Sequence, residues 1–214
     1  MTTMHASGRV RSLPAPPGRR DPAVPPRAAF WLVALVLAVT MLGTTLPTPL
    51  YVIYQGRWHF SAVVVTVTFA VYAAAVIATL LLAGRASDQA GRRPVLAVAL
   101  GASALSTVVF ILAPGVGALI AARIVSGLSA GLMTGTATAA LTELAPAGAR
   151  GRASLVATAA NMGGLGLGPL VAGLLAQYAP HPTTLVFEVY LAVLAAAALL
   201  LLLVPETVRP RTRP

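Results

Sequence analysis

The 214-residue chain has no cysteine. Disulfides, thiolate metal sites and a cysteine nucleophile are therefore excluded. Lysine is missing too: all fifteen basic residues are arginine, set against five acids. Charged residues make up 9% of the chain and hydrophobic residues 57%. Ordinary soluble domains carry about 25% charged residues, so this shortage of polar surface excludes a soluble globular fold. The three histidines, His5, His59 and His181, all lie outside the apolar runs, and the runs hold no paired carboxylates. The sequence thus predicts no metal site, no cofactor and no enzyme active site.

What is present in quantity is uninterrupted hydrocarbon. A helix needs roughly 20 mostly apolar residues to cross a membrane core of about 30 Å. Six segments meet that length, at about 28–46, 62–83, 94–113, 117–141, 153–175 and 183–204. Helix is the conformation that satisfies each segment's own backbone groups in lipid. The fold class read from this is all-α, a polytopic membrane protein with six transmembrane helices. Pro47 and Pro49, at the end of the first run, predict a kink in that helix rather than its end. The chain divides into a disordered basic tail at 1–27, a six-helix bundle at 28–205 and a second tail at 206–214.

A net charge of +10 can signal nucleic acid. Here the arginines sit in short segments between apolar runs, which predicts membrane orientation and no nucleic-acid partner. If the spans alternate, one side collects Arg9, Arg11, Arg19, Arg20 and Arg27 with Arg85, Arg92, Arg93, Arg150, Arg152, Arg209, Arg211 and Arg213. The other side has Arg57, and Arg123 lies within a span. Cytoplasmic loops carry the positive excess. Both termini are therefore expected in the cytoplasm, in a bilayer such as the bacterial inner membrane.

Between the second and third spans stands GRASDQAGRRPVL, residues 84–96. Gly91 offers positive φ in a short reversal, and Asp88 suits a helix N-terminus, where negative charge is favoured by about 0.3–1 kcal/mol. Gly84, Asp88, Gly91, Arg92 and Arg93 together resemble the loop signature of the major facilitator superfamily, with Ala86 and Gln89 departing from it. The resemblance implies that this loop is a cytoplasmic gate, with Asp88 as its latch. Arg150 and Arg152 are candidate basic partners.

The fourth span carries Arg123, a charge costly enough at that depth to be a functional candidate. At 100° per residue, Gly127, Gly131, Thr134 and Thr138 share its face. The pattern Arg-x-x-x-Gly-x-x-x-Gly resembles the fourth-helix motif of proton-coupled members, implying a role in protonation or in lining a cavity. The alternative is a small-residue packing face with an arginine snorkelling outward. Gly127-Leu-Ser129-Ala-Gly131 formally matches a nucleophile elbow, but that signature needs a strand–turn–helix and a histidine partner.

In the fifth span, Gly164, Gly168, Pro169 and Gly173 resemble the motif of drug:proton antiporters, a bend that seals against leak. Pro169 frees a backbone carbonyl and the glycines permit close helix approach. Thr158 and Asn161 precede them as candidate cavity lining, alongside Thr40 and Thr44 of the first span. Glu188 of the sixth span lies at a depth similar to Arg123. The resemblance implies a sixth helix outside the substrate cavity, so Glu188 is read as an interfacial acid rather than as a partner for Arg123. The first span lacks the embedded acid that many such antiporters carry.

The resemblance implies one half of a major facilitator fold, whose full form holds substrate between two six-helix bundles. The expected function is that half's share of secondary transport: proton-coupled efflux of a small organic or drug-like molecule. The expected partners are that substrate, protons, the lipid bilayer and a second six-helix half. That half would come from a missing C-terminal continuation, a separate chain or a second copy. A non-transporting membrane scaffold is the alternative.

Overall fold

The computed structural model describes residues 24–83, 90–146 and 148–206. Within them the chain forms seven helices and no strand. These are α1 (Pro26–Thr45), α2 (Tyr51–Trp58), α3 (Ala62–Ala83), α4 (Arg92–Ile111), α5 (Val116–Leu144), α6 (Arg150–Tyr178) and α7 (Pro182–Leu203). All except the short α2 are long and apolar enough to cross a membrane. The all-α, six-span architecture is thus present.

Element ends follow local chemistry. Pro26 opens α1 at its first position, where proline's missing amide has no partner to lose. Pro47 and Pro49 do more than kink the first span. They end α1, a run of turns covers 46–50, and α2 resumes as a separate two-turn helix. His59 closes α2 in the left-handed conformation, φ 51°. The third, fourth and fifth spans run past their apolar stretches to take in Arg92, Glu143 and Arg150. A helix keeps its backbone bonds into the interface, so polar residues at span ends prolong it where hydropathy alone trims it.

α1 and α5 form the centre. α5 touches α1, α3, α4 and α6, while α1 also packs along α6 and α7. The core runs through Val33, Leu37 and Met41 of α1 and Leu119, Met133, Ala137 and Leu141 of α5, all buried. Phe110 of α4 stacks on Phe187 of α7 with centroids 5.1 Å apart. α3 and α6 are the least covered spans and present apolar side chains outward, as lipid-facing helices do. Their inner faces meet neighbours through glycine, which lets backbones approach closely where water supplies no driving force.

Candidate functional site

Arg123 is 1% exposed, the bulkiest of the fully buried side chains. Its Nε donates to the Tyr51 hydroxyl at 2.6 Å, and its Nη1 donates to the Thr44 carbonyl. Four rings surround the guanidinium: Phe69 at 5.1 Å, Tyr51 at 5.3 Å, Tyr72 at 5.6 Å and Phe110 at 5.8 Å. A desolvated cation over an aromatic face gains about 2 kcal/mol or more, so the cage offsets part of the burial.

The Thr44 carbonyl is available because of the break in the first span. Helical geometry would pair it with the Thr48 amide, but that amide turns to Thr45 at 3.0 Å. Arg123 fills the gap, placing positive charge at the negative end of the α1 dipole. Tyr51 is the first residue of α2. One side chain from α5 therefore ties together both sides of the α1–α2 break. Its Nη2 has no hydrogen-bond partner among the described residues. Glu188 is exposed, and the groups hydrogen-bonded to Arg123 are the phenol and the carbonyl.

The other residues of the Arg123 face have separate surroundings. A Cβ on Gly127 would lie 2.6 Å from the Tyr72 carbonyl, and one on Gly131 would lie 2.7 Å from the Thr79 Cβ. Both glycines serve the close contact of α5 with α3. Thr134 is half-buried with its hydroxyl 3.8 Å from the Met41 sulfur, and Thr138 is half-buried with its carbonyl accepting from the Thr142 hydroxyl. Thr40 and Thr44 do not line an open cavity. Both are buried, and their hydroxyls donate to Val36 and Met41 of their own helix.

On α6, Pro169 sits inside the helix and leaves the Leu165 carbonyl without its helical amide. The Thr45 hydroxyl of α1 donates to that carbonyl at 2.8 Å. Gly168 makes room for it: a Cβ there would collide with Thr45 Oγ1 and the Leu42 carbonyl, and one on Gly164 with the Ala38 carbonyl. Gly173 is different, because nothing lies within 4 Å of its Cβ position. Asn161 is half-buried and Thr158 exposed.

At the end of the bundle where α1 begins and α7 ends, Arg92 and Glu143 form an ion pair, with Nη2 2.8 Å from Oε1 and Nε 3.1 Å from it. Glu206 Oε1 accepts from the Arg92 amide at 2.8 Å and Oε2 from the Arg93 amide at 3.1 Å. This carboxylate meets the start of α4, where unpaired amides and the dipole favour it. Gly91 precedes it with φ 99°, and a Cβ there would lie 2.8 Å from Glu206 Oε2. Gly84 and Asp88 lie outside the described residues. Arg150 and Arg152 are exposed.

Sequence reasoning missed the aromatic cage, Glu143 and Glu206. A signal existed for Glu143: an acid closing the fourth span, at the same bundle end as Arg92. The rings of Tyr51, Phe69, Tyr72 and Phe110 come from three segments, and no spacing rule joins them. Among the described residues no cluster of metal-ligating side chains occurs. The Arg123 cage is electrostatic in character, with no nucleophile or carboxylate hydrogen-bonded to the guanidinium.

Comparison with known proteins bears on the fold and the family. A family model described as Major Facilitator Superfamily matches residues 33–214. The chain is 35% identical over 156 residues to a Mycobacterium tuberculosis protein described as uncharacterized MFS-type transporter Rv1250; the match covers 70% of this chain and 26% of that one. The crystal structure of the human organic anion transporter MFSD10 (TETRAN) superposes with a TM-score of 0.65 and 25% identity, over 89% of this chain and 50% of that one. The chain thus spans about a quarter of the mycobacterial relative and half of the human structure. A family match over most of the sequence, together with the six-span bundle, places the chain in the Major Facilitator Superfamily.

Proposed function

We propose that this bundle is one of the two halves of a secondary transporter that exports a small organic, drug-like molecule in exchange for protons. The observation that carries the reading is Arg123. A cation inside a span is costly enough to mark a functional site by default. Here it is held by a neutral phenol, a carbonyl and aromatic faces, with Nη2 left over. Such a cation can exchange a carbonyl for an anionic group on a substrate or for a carboxylate that loses its proton.

The acids support a preference against cationic cargo. Among the described residues, Glu143 is ion-paired with Arg92 and Glu188 faces outward. An interior with a buried guanidinium and no exposed carboxylate beside it suits neutral or anionic molecules. The human neighbour's description as an organic anion transporter agrees with that preference.

Alternating access needs two bundles that rock about a central site. This chain supplies one, and its partner is a second six-helix bundle, in a continuation of the same polypeptide, a separate chain or a second copy. In this reading both termini face the cytoplasm of a bacterial inner membrane. The 84–93 loop, with Gly84, Asp88, Gly91, Arg92 and Arg93, is the cytoplasmic gate. The bend that seals against leak is built on Gly164, Gly168 and Pro169, where α6 meets α1, and Gly173 continues the motif with no neighbour at its Cβ position.

The test is pH-gradient-driven flux of a labelled organic anion in vesicles that hold this bundle with its partner. Arg123→Ala should cut that flux by about tenfold or more, equivalent to about 1.4 kcal/mol of lost transition-state stabilisation, while membrane insertion stays intact. Unaltered flux in the variant would remove Arg123 from the mechanism. Flux that ignores the gradient would remove proton exchange. No flux under any gradient would favour the scaffold reading.

A further inference from the structure

At the bundle end where α1 and α6 begin, a half-open cavity of about 360 Å³ lies between the start of α1, the end of α5 and the start of α6. Its charged lining is Arg27 and Arg152, and Phe30, Trp31, Leu144 and Ala149 are among its walls. No acid is among the described residues that line it. Among the described residues, the carboxylates at this end of the bundle are committed on the α4 side. Glu143 is held by Arg92 at 2.8 Å, and Glu206 by the Arg92 and Arg93 amides.

Two further features deepen the positive imbalance. Neither α1 nor α6 has a side-chain cap or an acid in its first turn. Arg27 and Arg152 lie in those same first turns, so two guanidiniums and the positive ends of two helix dipoles meet at one cavity. An anion with several acceptor oxygens fits such a rim, and phosphate is one that arginine's planar donors grip in bidentate fashion.

The walls choose the source of the phosphate. Trp31 is 56% exposed, and Leu35, one turn deeper on the same face of α1, is 47% exposed. The cavity therefore continues into an apolar track along the span. A soluble phosphate would use the rim alone, whereas a phospholipid uses both rim and track. Arginines at span ends beside an interfacial tryptophan sit at headgroup level. We propose that this cavity binds the phosphate of an anionic phospholipid between Arg27 and Arg152, with acyl chain lying against Trp31 and Leu35.

The test uses the full chain carrying Trp58→Phe, which leaves Trp31 as its one tryptophan. In nonionic micelles, Trp31 fluorescence is quenched with brominated phosphatidylglycerol or brominated phosphatidylcholine. Each arginine near the surface contributes about fivefold to anionic-lipid preference. The anionic lipid should therefore quench at a roughly ten- to thirtyfold lower mole fraction. Arg27→Gln with Arg152→Gln should bring the two curves together, whereas Arg27→Lys with Arg152→Lys should keep most of the separation. In the parent, added salt should shrink the preference.

Equal quenching by both lipids, a preference untouched by salt, or one that survives in a folded glutamine pair would overturn the proposal. Relief of quenching by inorganic phosphate as effectively as by unbrominated phosphatidylglycerol would also overturn it, assigning the rim to a soluble anion. Thermal unfolding of each variant separates lost binding from lost fold. Should the glutamine pair unfold, the lysine pair and the salt series decide the matter.

Discussion

The Thr45 hydroxyl of α1 donates to the Leu165 carbonyl of α6 at 2.8 Å, repairing the bond that Pro169 removes four residues later. Three features of sequence meet at this point. Proline opens the acceptor, Gly168 clears the approach, and a threonine supplies the donor. In water an orphan carbonyl would find solvent. In hydrocarbon it must find protein, so the partner helix is selected along with the proline.

That relationship predicts a coupled pair of substitutions. Thr45→Val keeps the shape and removes the donor, and should destabilise the bundle by about 0.5–2 kcal/mol, the range for hydrogen bonds between membrane helices. In a Pro169→Ala background the restored amide serves Leu165 itself, so the same Thr45→Val change should lose most of its effect. Reversible unfolding in mixed micelles reads the cycle. Equal penalties in the two backgrounds would separate Thr45 from the proline.

Arg123 and Tyr51 give a second prediction. Tyr51→Phe keeps the ring beneath the guanidinium and removes the acceptor 2.6 Å from Nε. Hydrogen bonds to charged groups contribute about 1.5–3 kcal/mol, and stability should fall by about that much. Arg123→Lys should lose more, because an ammonium cannot span the Thr44 carbonyl and the Tyr51 phenol as a planar fork does. In the Arg123→Lys background, Tyr51→Phe should then lose much of its effect. Comparable unfolding of all three variants and the parent would mean that the cage holds nothing together.

These two sites show how far the sequence could be read and where it stopped. Six spans were legible because each is a run of hydrocarbon of the required length, and Pro169 announced a freed carbonyl. The donor, Thr45, was not legible, because it lies 120 residues away and nothing local marks it. Arg123 stood out by its charge alone. Its partners came from the break at Pro47 and Pro49, which sequence reading took for a kink, and from rings on neighbouring helices. Gly164, Gly168 and Gly173 look alike in sequence, yet the first two meet α1 and the third meets nothing within 4 Å. Spacing finds a face; it does not say which turns of that face another helix will cover.

The start of α4 carries the third prediction. Gly91 holds φ 99°, and its Cβ position faces the carboxylate that binds the Arg92 and Arg93 amides. Gly91→Ala should therefore act twice. It forces an L-residue into an extended positive-φ region (ψ 155°) that is essentially reserved for glycine, at a cost of about 1–3 kcal/mol, and it pushes Glu206 off the helix start. Glu206→Gln keeps the size but weakens a charge-assisted contact to two amides, for about 1 kcal/mol or more. Once Glu206 has been cut back to alanine, adding Gly91→Ala should cost the backbone strain and nothing further. The double variant should thus be more stable than the sum of the singles implies, by about 1 kcal/mol. Amide exchange at Arg92 and Arg93 offers the local readout: protection should fall in Glu206→Ala and fall no further when Gly91→Ala is added. Strict additivity, with protection unmoved in Glu206→Ala, would mean that the carboxylate rests beside these amides without stabilising them. Gly91 would then be required for its backbone angle alone.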